Sequence, residues 1–264
     1  MERKGLDFAG GIPSSTDILA RGYDFVVRYT TDGGLELPGK QIFQGELRER
    51  FASDISTCLI HETTSDRMLS GFQSGVFDAG YANRHAQSIG FPDWRPIYFA
   101  ADWDATVTQQ AIIDQYLIGA ASVIGLERVG VYGGFYVVKR CALNGTAQWF
   151  WQTQGWSGGQ EWEGNHILQL AQQTTIDGTL CDINIAKQED FGQWDRSIQM
   201  QDAIIKDIWS QLVGNAYTEP PRYGGWPTDA GEYTVVDMLR YLITSQRAMS
   251  DEITALKVQL TPKP

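Results

Sequence analysis

Cysteine and histidine are scarce in this chain, with three of each among its 264 residues. Cys58, Cys141 and Cys181 form no CxxC pair and lie among apolar or small residues, which is typical of small buried side chains. The histidines are scattered and have no metal-ligand spacing. The sequence therefore predicts no metal site and no cofactor.

Long apolar runs and an excess of positive charge are also missing. The longest apolar stretches fall well short of the ~20 residues that a membrane span needs, and the amino-terminal MERKGLDFAGG lacks the apolar core of a secretory signal. The formal net charge is −11, whereas a nucleic-acid-binding domain normally has a basic face. We therefore expect no membrane segment, no secretory signal and no nucleic-acid partner.

Short apolar runs typical of β-strands alternate with helical patterns up to residue 185. The predicted helices are 14–21, 44–54, 70–90 and 106–125, and the predicted strands are 5–9, 24–30, 57–62, 96–101, 128–132, 148–152, 167–171 and 180–185. Because a crossover between parallel strands usually carries a helix, this order predicts parallel pairing.

Eight strands in this order predict an α/β fold of the (β/α)8 TIM-like barrel type. Only short connections separate the last three strands, so we expect the barrel to be partly degenerate there and to be followed by a C-terminal helical tail. A doubly wound open sheet is the alternative, although neither GxGxxG nor GxxxxGK[ST] is present to support nucleotide binding in it.

The pattern changes after Trp194. Residues 197–213 have a helical pattern, and 219–231 is rich in proline, glycine and aromatic residues, as in a linker. From 235 to 260, apolar residues recur in heptad steps, with Gln246 at one core position. This spacing predicts a coiled coil and a homo-oligomer, and a single helix packed on the barrel is the alternative. The predicted domains are a barrel (1–195), a helix with linker (196–232) and an amphipathic helix (233–264).

Acidic residues fall at or just past the ends of the predicted strands. They occur in the runs GLDFA, TCLIHE, PIYFAADWD and LCDINIA, and they are Asp7, Glu62, Asp102, Asp104 and Asp182. Because the C-terminal ends of parallel barrel strands meet at one face, we expect these carboxylates to converge. Carboxylate pairs in a groove are typical of glycoside cleavage, which needs one protonated and one ionised group. Crowding raises the pKa of at least one carboxyl group and so supplies such a pair.

Aromatic residues occur near the same strand ends. Tyr29, Tyr98, Trp103 and Tyr132 are predicted to line the groove, since aromatic faces pack against the C–H surfaces of sugar rings. For any single tyrosine, packing in the core or at the rim is the alternative. For any single carboxylate, the alternative is a solvated loop or a helix cap.

The order of these motifs resembles a known family. GLDFAGG, FVVRYT, HE, GFQSGVFDAGYANRHAQSIGFP, PIYFAADWD, GVYGG, WFWQT and DGTLCDIN are similar, over residues 5–194, to the glycoside-hydrolase-like domain related to family-25 lysozymes, as in actinobacteriophage endolysins. Those lysozymes are TIM-barrel muramidases that cut bacterial peptidoglycan. IWSQLVGN, GWP and VVDML resemble tail-end segments of actinobacteriophage lysins and virion proteins.

The resemblance implies roles for particular residues. Asp7 matches the first-strand active-site aspartate, Asp102 and Asp104 the strand-four acidic pair, Glu62 an acidic strand-three residue, Gln152 the glutamine of the strand-six Trp-Gln motif, and Asp182 the aspartate of the last-strand DxN motif. Family-25 enzymes have Asp-x-Glu on strand four, with the glutamate as general acid. Here the residue at that position is Asp104, whose side chain is one methylene shorter than that of glutamate, so its carboxyl group reaches roughly 1.5 Å less far from the backbone. Either Asp104 or Glu62 is then the acid, with Asp102 or Asp7 as stabiliser or base, or activity is reduced or lost.

The sequence thus predicts a peptidoglycan-degrading glycoside hydrolase, a muramidase-like lysin that is either a phage endolysin or virion-associated. Its expected partner is bacterial peptidoglycan or another wall glycan. The alternative is a non-catalytic glycan-binding or structural barrel of a phage virion, which the aspartate at position 104 favours. The expected location is the host cytoplasm before holin-dependent release, or the virion.

Overall fold

Eight strands close into a barrel in the order β1 to β8. They are β1 (Lys4–Asp7), β2 (Phe25–Tyr29), β3 (Ser56–His61), β4 (Ile97–Ala100), β5 (Val129–Gly133), β6 (Trp149–Thr153), β7 (Ile167–Ile176) and β8 (Thr179–Ala186). The computed structural model describes residues 2–33, 37, 39–213, 226–228, 231–233, 238–239, 242–246 and 249. The predicted TIM-like barrel is confirmed.

Helices connect the first six strands. They are α1 (Ser15–Ala20), α2 (Gln44–Ala52), α3 (Gly71–Ile89), α4 (Gln110–Ile124) and α5 (Phe135–Asn144), with 3-10 turns at Arg67–Ser70, Val107–Gln109 and Leu126–Arg128. The sequence predicts α1 to α4 but not α5, which follows the glycines at 133 and 134. Helix α5 begins directly after them, buries Val137, Val138 and Cys141 on one face, and ends at a left-handed Gly145.

The prediction of parallel pairing is correct for β1 to β7 and wrong for β8. Each neighbouring pair from β1–β2 to β6–β7 is parallel, whereas β8 is antiparallel to both β7 and β1. Only Asp177 and Gly178 connect β7 to β8, with φ angles of 50° and 75°. A two-residue Asp-Gly turn with positive φ at both positions makes a hairpin, so a helical crossover has no room here.

The barrel interior is filled by side chains from alternate strand positions, as in other barrels of this size. These buried residues include Phe25, Val27, Cys58, Ile60, Tyr98, Ala100, Tyr132, Trp151 and Ile167, together with Phe191 from the segment after β8. A second and larger core lies between the strands and the helices, where β4 is buried along its whole length. Burial on both faces explains why this parallel strand is continuously apolar.

Helices α3 and α4 approach each other closely because each has a glycine at the crossing. A Cβ at Gly75 would overlap the carbonyl oxygen of Tyr116, and a Cβ at Gly119 would overlap that of Phe72. The two backbones are therefore in direct contact over this region. This close packing fixes the outer wall beside β3 and β4.

The chain divides into two compact units, Met1–Arg196 and Ser197–Pro264. The second contains most of helix α6 (Arg196–Val213) and an antiparallel pair, β9 (Trp226–Thr228) with β10 (Gly231–Tyr233). Most of the predicted linker at 219–231 lies outside the described residues. In the described parts of the chain, no helix is long and apolar enough to cross a membrane.

The predicted coiled coil over 235–260 lies largely outside the described residues. Leu239, Leu242, Gln246 and Met249 are described and helical, and the three apolar side chains among them are exposed. The remaining seam positions, Val235, Ile253, Leu256 and Leu260, are not described. The coiled coil, the homo-oligomer and the domain boundaries stay predictions.

Candidate active site

A polar cavity of about 290 Å³ opens at the end of the barrel where β1 to β6 terminate. We call it the carboxylate cavity, and its lining residues are Asp7, Tyr29, Ile60, Glu62, Asp102, Tyr132, Trp151, Thr153, Trp156, Gln169 and Asp182. Its volume is near the lower end of the range of ~300–1,000 Å³ that is usual for ligand sites. Four carboxyl groups from four parts of the sequence therefore share one small space.

Three of these carboxylates reach the cavity in the predicted way. Asp7 is the last residue of β1, Glu62 directly follows β3, and Asp102 lies two residues beyond β4. Because these strands are parallel, their C-terminal ends open on the same face. The convergence predicted for Asp7, Glu62 and Asp102 is what the structure has.

Asp182 reaches the same face by a different route. It lies within β8, not at its C-terminal end, and the antiparallel register pairs it directly with Asp7. The first half of a reversed strand lies level with the last residues of its neighbour. The predicted location of Asp182 at a strand end is therefore corrected, although its side chain does line the cavity.

Asp7 is almost completely buried, with 2% of its surface exposed. Its Oδ2 accepts hydrogen bonds from Gln169 Nε2 at 2.9 Å and from Asn184 Nδ2 at 2.7 Å. Burial, followed by the charge of Asp182, raises the pKa of Asp7 to about 7, while the two amide donors oppose the rise. The carboxyl group of Asp7 thus changes protonation near neutral pH.

The two amides beside Asp7 are themselves held in place. Gln169 Oε1 accepts a hydrogen bond from the Tyr132 hydroxyl at 2.7 Å, and Asn184 Oδ1 accepts one from Trp151 Nε1 at 2.9 Å. These bonds orient each amide so that its NH₂ group points at Asp7. The hydrogen-bond network therefore fixes both the position and the electrostatics of Asp7.

A register shift in β7 separates two glutamines with different partners. Gln169 pairs with Asn184, whereas Gln173 pairs with Asp182 across the hairpin, with an irregularity between them. Gln173 Nε2 donates to Asp182 Oδ1 at 2.7 Å on the exposed side of the site. Irregularities of this kind occur often beside active sites, where they redirect side chains.

Asp102 is partly buried and is more accessible than Asp7. Burial, followed by the charge of Glu62, raises the pKa of Asp102 to about 6, and the nearby Tyr132 hydroxyl opposes the rise. At mildly acidic pH a substantial fraction of Asp102 is protonated while its side chain faces the cavity. These are the properties of a proton donor.

Glu62 has a cationic partner that the sequence analysis missed. Lys40 Nζ donates to Glu62 Oε2 at 3.1 Å and also lies 4.7 Å from the centre of the Tyr29 ring. Both side chains are mostly buried. The ammonium group stabilises the negative charge of Glu62 and offsets part of the charge of the four carboxylates.

Four of the predicted site residues lie outside the carboxylate cavity. Asp104 is exposed, and the Trp103 indole donates to Gln109 Oε1 at 3.2 Å. Tyr98 is 0% exposed inside the barrel and donates its hydroxyl proton to the Phe191 carbonyl at 2.8 Å. Gln152 is buried against the β6–β7 loop, where its amide donates to the Gln160 carbonyl and accepts from the Trp162 N–H.

The predicted groove contacts of these four residues are therefore corrected. Strand β4 ends at Ala100, so the alternation that would place Asp102 and Asp104 on one face no longer applies. Tyr98 faces the barrel core because it lies in mid-strand. Gln152 holds a loop and has no surface in the cavity.

Five further residues of the site were not predicted from the sequence: Lys40, Thr153, Trp156, Gln169 and Asn184. Residues two apart in a strand share a face, so Gln169 lies on the same face as Ile167, and Asn184 on the same face as Asp182. This spacing was a usable signal that Gln169 and Asn184 face the barrel interior. No sequence signal pairs Lys40 with Glu62, which lie 22 residues apart. Among the described residues, no group of three or more His, Cys, Asp and Glu could hold a metal ion.

This chain is similar to protein Rv2525c of Mycobacterium tuberculosis, whose name assigns it provisionally to the peptidoglycan hydrolases. The two are 28% identical over 200 residues, which covers 72% of this chain and 82% of the relative. Crystal structures of that protein, described as Tat-secreted and in complex with HEPES or L-tartrate, match with a TM-score of 0.69 over 73% of this chain and 98% of theirs.

A more distant match shows the fold alone. An uncharacterized protein of B. stearothermophilus has a TM-score of 0.51 and 14% identity, over 70% of this chain and 95% of its own. The similarity to a Tat-secreted protein overturns the predicted location. The host cytoplasm and the virion were predicted because the amino terminus has no long apolar core, and that reasoning gave the wrong location.

The family to which the motifs point is established by a direct match. Residues 16–224 match the family model of the Rv2525c-like, glycoside hydrolase-like domain. This range spans most of the barrel and includes three of the four carboxylates of the cavity. The predicted resemblance to a glycoside-hydrolase-like barrel is confirmed, and the chain belongs to the Rv2525c-like family of glycoside hydrolase-like domains.

Proposed function

We propose that this chain is an exported peptidoglycan hydrolase that cleaves the glycan strand of the bacterial cell wall. The observation that carries the proposal is the carboxylate cavity, in which two aspartates have pKa values raised to about 7 and about 6 beside further carboxylates. Family membership supports the substrate class, and the Tat-secreted relative supports export.

In this proposal Asp102 is the proton donor to the leaving glycosidic oxygen. Its raised pKa keeps a fraction of it protonated at mildly acidic pH, and its carboxyl group is more accessible than that of Asp7. The resemblance to family-25 lysozymes instead suggests the second acidic position of strand four. Here that position is Asp104, which is exposed and outside the cavity, so we assign the donor role to Asp102.

Glu62 supplies the complementary negative charge. Its side chain lines the cavity and forms an ion pair with Lys40, in which Nζ lies 3.1 Å from Oε2. A carboxylate at this position stabilises positive charge on the sugar ring or orients an attacking water molecule. Burial and the charge of Asp182 raise the pKa of Asp7 to about 7, so Asp7 is mostly protonated at the mildly acidic pH of the reaction and leaves Asp182 and Glu62 to supply the negative charge.

The test is the chemistry of the products. We expect the folded chain to release reducing sugar ends, and no new amino groups, from purified peptidoglycan, with an optimum at mildly acidic pH. Asp102→Asn is expected to lose about 10²-fold or more of this activity, the usual contribution of a general acid. Asp104→Asn is the matched control, and it should retain activity because its side chain lies outside the cavity.

A non-catalytic glycan-binding barrel is the second candidate. It is favoured by the aspartate in place of the family-25 glutamate and by the exposure of that aspartate. Wild-type protein that is folded and binds peptidoglycan, yet releases no reducing ends between pH 4 and pH 8, would establish this second function. Release of amino groups without reducing ends would contradict both.

A further inference from the structure

Trp156 combines three properties that core packing does not explain. It lines the carboxylate cavity, 40% of its surface is exposed, and its φ angle is 53°. The other described non-glycine residues with positive φ are Asp54 and Asp177, and aspartate tolerates this region far better than a bulky residue does. Strained positions of this kind cluster at functional sites.

The loop around Trp156 has glycines at other left-handed positions. Gly158 and Gly159 have φ angles of 57° and 76°. Position 156 has the same backbone requirement and yet holds the largest side chain. The backbone alone would favour glycine there, so the indole itself must have a use.

The surrounding structure holds this backbone firmly. The buried Ser157 hydroxyl accepts from the Phe135 N–H at 2.9 Å and donates to the Thr153 carbonyl. On the other side, a Cβ at Gly134 would lie 3.0 Å from the Trp156 carbonyl oxygen and 3.3 Å from its Cβ. The glycine at 134 leaves room for Trp156 to sit against the start of α5.

The buried Gln152 closes the other end of the loop. Its Nε2 donates to the Gln160 carbonyl at 2.8 Å, and its Oε1 accepts from the Trp162 N–H at 2.9 Å. The loop is therefore braced from below although it contains no helix or strand. An exposed indole on a braced loop loses little conformational freedom when a ligand binds.

We propose that Trp156 is a stacking platform for a pyranose ring of the wall glycan, at the rim of the carboxylate cavity. This inference rests on the proposed substrate class. The cavity is small, so a glycan strand that enters it must leave over the rim, where the indole face is available to the apolar C–H surface of a sugar ring. Trp156 then sets which ring of the strand sits against the carboxylates.

The test separates binding from strain. Trp156→Gly removes the indole and suits the left-handed backbone, so it should unfold at the same or a higher temperature than the parent protein. Binding of a soluble tetrasaccharide of alternating N-acetylglucosamine and N-acetylmuramic acid should weaken by about tenfold or more. Trp156→Asn should behave in the same way, and Trp156→Phe should recover part of the affinity.

The measurement is made by calorimetry in the Asp102→Asn background, so that the probe is not consumed. Trp94→Ala is the matched control, because Trp94 is 39% exposed but lies before β4, at the opposite end of the barrel. It should bind as the parent does. Unchanged affinity in Trp156→Gly, with or without a change in stability, would overturn the platform.

The outcome is independent of catalysis. If the wild type releases no reducing ends but tetrasaccharide binding depends on Trp156, the platform stands and the hydrolase proposal fails. If turnover occurs and the Trp156 variants bind the tetrasaccharide like the parent, the hydrolase proposal stands and the platform fails.

Discussion

The helix-backed wall formed by β1 to β6 and the hairpin formed by β7 and β8 equip the cavity in different ways. In the wall, Asp7, Glu62 and Asp102 each come from the end of a strand. In the hairpin, Gln169, Asp182 and Asn184 come from within the strands. Strand β8 is antiparallel to both of its neighbours, and its register pairs Asp182 with Asp7 and Asn184 with Gln169.

This difference separates two tasks. The wall supplies three of the four carboxylates that line the cavity, whereas the hairpin supplies the fourth, Asp182, and the two amides that donate to Asp7. A parallel strand places only its last residues at the open face. An antiparallel hairpin that lies along that face can offer several side chains, so it suits the tuning of a neighbouring group.

The largest effect is expected for a wall carboxylate. Glu62→Gln keeps the shape of the side chain but removes the negative charge that Lys40 stabilises. We expect the rate of reducing-end release to fall by about 10²–10⁴-fold, with little change in the binding of a soluble glycan fragment. A reduction of tenfold or less in the rate would indicate that the hairpin residue Asp182, and not Glu62, is the ionised carboxylate of the reaction.

The next effect concerns the dependence of stability on pH. In the folded chain burial raises the pKa of Asp7 from 3.8 to about 7, so the folded state binds this proton more tightly than the unfolded state. Stability is therefore highest below the unfolded pKa and is lost as the pH rises from about 4 through 7. Between pH 4 and 8 the loss is about 4 kcal/mol, at about 1.4 kcal/mol per pKa unit.

Asp7→Asn removes the titrating carboxyl group, so the loss of stability that Asp7 causes between pH 4 and pH 8 should disappear. The free energy of unfolding, measured in urea at pH 4, 6 and 8, is expected to fall more steeply for the wild type than for the variant. Asp102 contributes a smaller loss of the same sign in both proteins. Parallel curves for the two proteins would show that Asp7 titrates as an ordinary exposed aspartate.

A hairpin amide should have an intermediate effect. Asn184→Leu removes the donor to Asp7 Oδ2 and leaves the Trp151 indole N–H without its acceptor. We expect a loss of about 1–3 kcal/mol in the free energy of unfolding and a further rise in the pKa of Asp7, because the Asn184 hydrogen bond lowers it. NMR titration of the Asp7 carboxyl carbon measures the pKa.

Asn165→Leu is the control for that experiment. Asn165 is also buried, but its amide lies beside Gln152 in the β6–β7 loop. It should lower stability without moving the pKa of Asp7. An equal pKa shift in both variants would mean that general loosening of the barrel, not the hydrogen bond, sets the pKa.

Much of the barrel could be predicted from the sequence because apolar runs and strand order are local signals. The same local rules placed Asp7 and Asp102 correctly, since Asp7 ends one short buried strand and Asp102 follows another. They failed at Asp104, because alternation stops where β4 stops. They also failed for the direction of β8, although the Asp177-Gly178 turn between two strands was a usable hairpin signal.

Other parts of the site depend on contacts that no local pattern encodes. Lys40 meets Glu62 from a Gly/Pro-rich loop, and Trp156 reaches the cavity from a loop that is held by Gln152 and Ser157. Such residues are positioned by the folded barrel and not by periodicity. The pKa of Asp7 could not be predicted from the sequence either, because it depends on amides that lie 162 and 177 residues away along the chain.

The smallest effect is expected within the hairpin itself. Gln173 lies four residues after Gln169 on β7, but it is exposed and donates to Asp182 instead of Asp7. We expect Gln173→Ala to change the free energy of unfolding by no more than about 0.5 kcal/mol, whereas Gln169→Ala should cost about 1–3 kcal/mol and raise the pKa of Asp7. Urea unfolding and the same NMR titration compare the two. Equal effects would mean that the hairpin acts on Asp7 through the charge of Asp182, and the division between wall and hairpin would then depend on that charge more than on the amides.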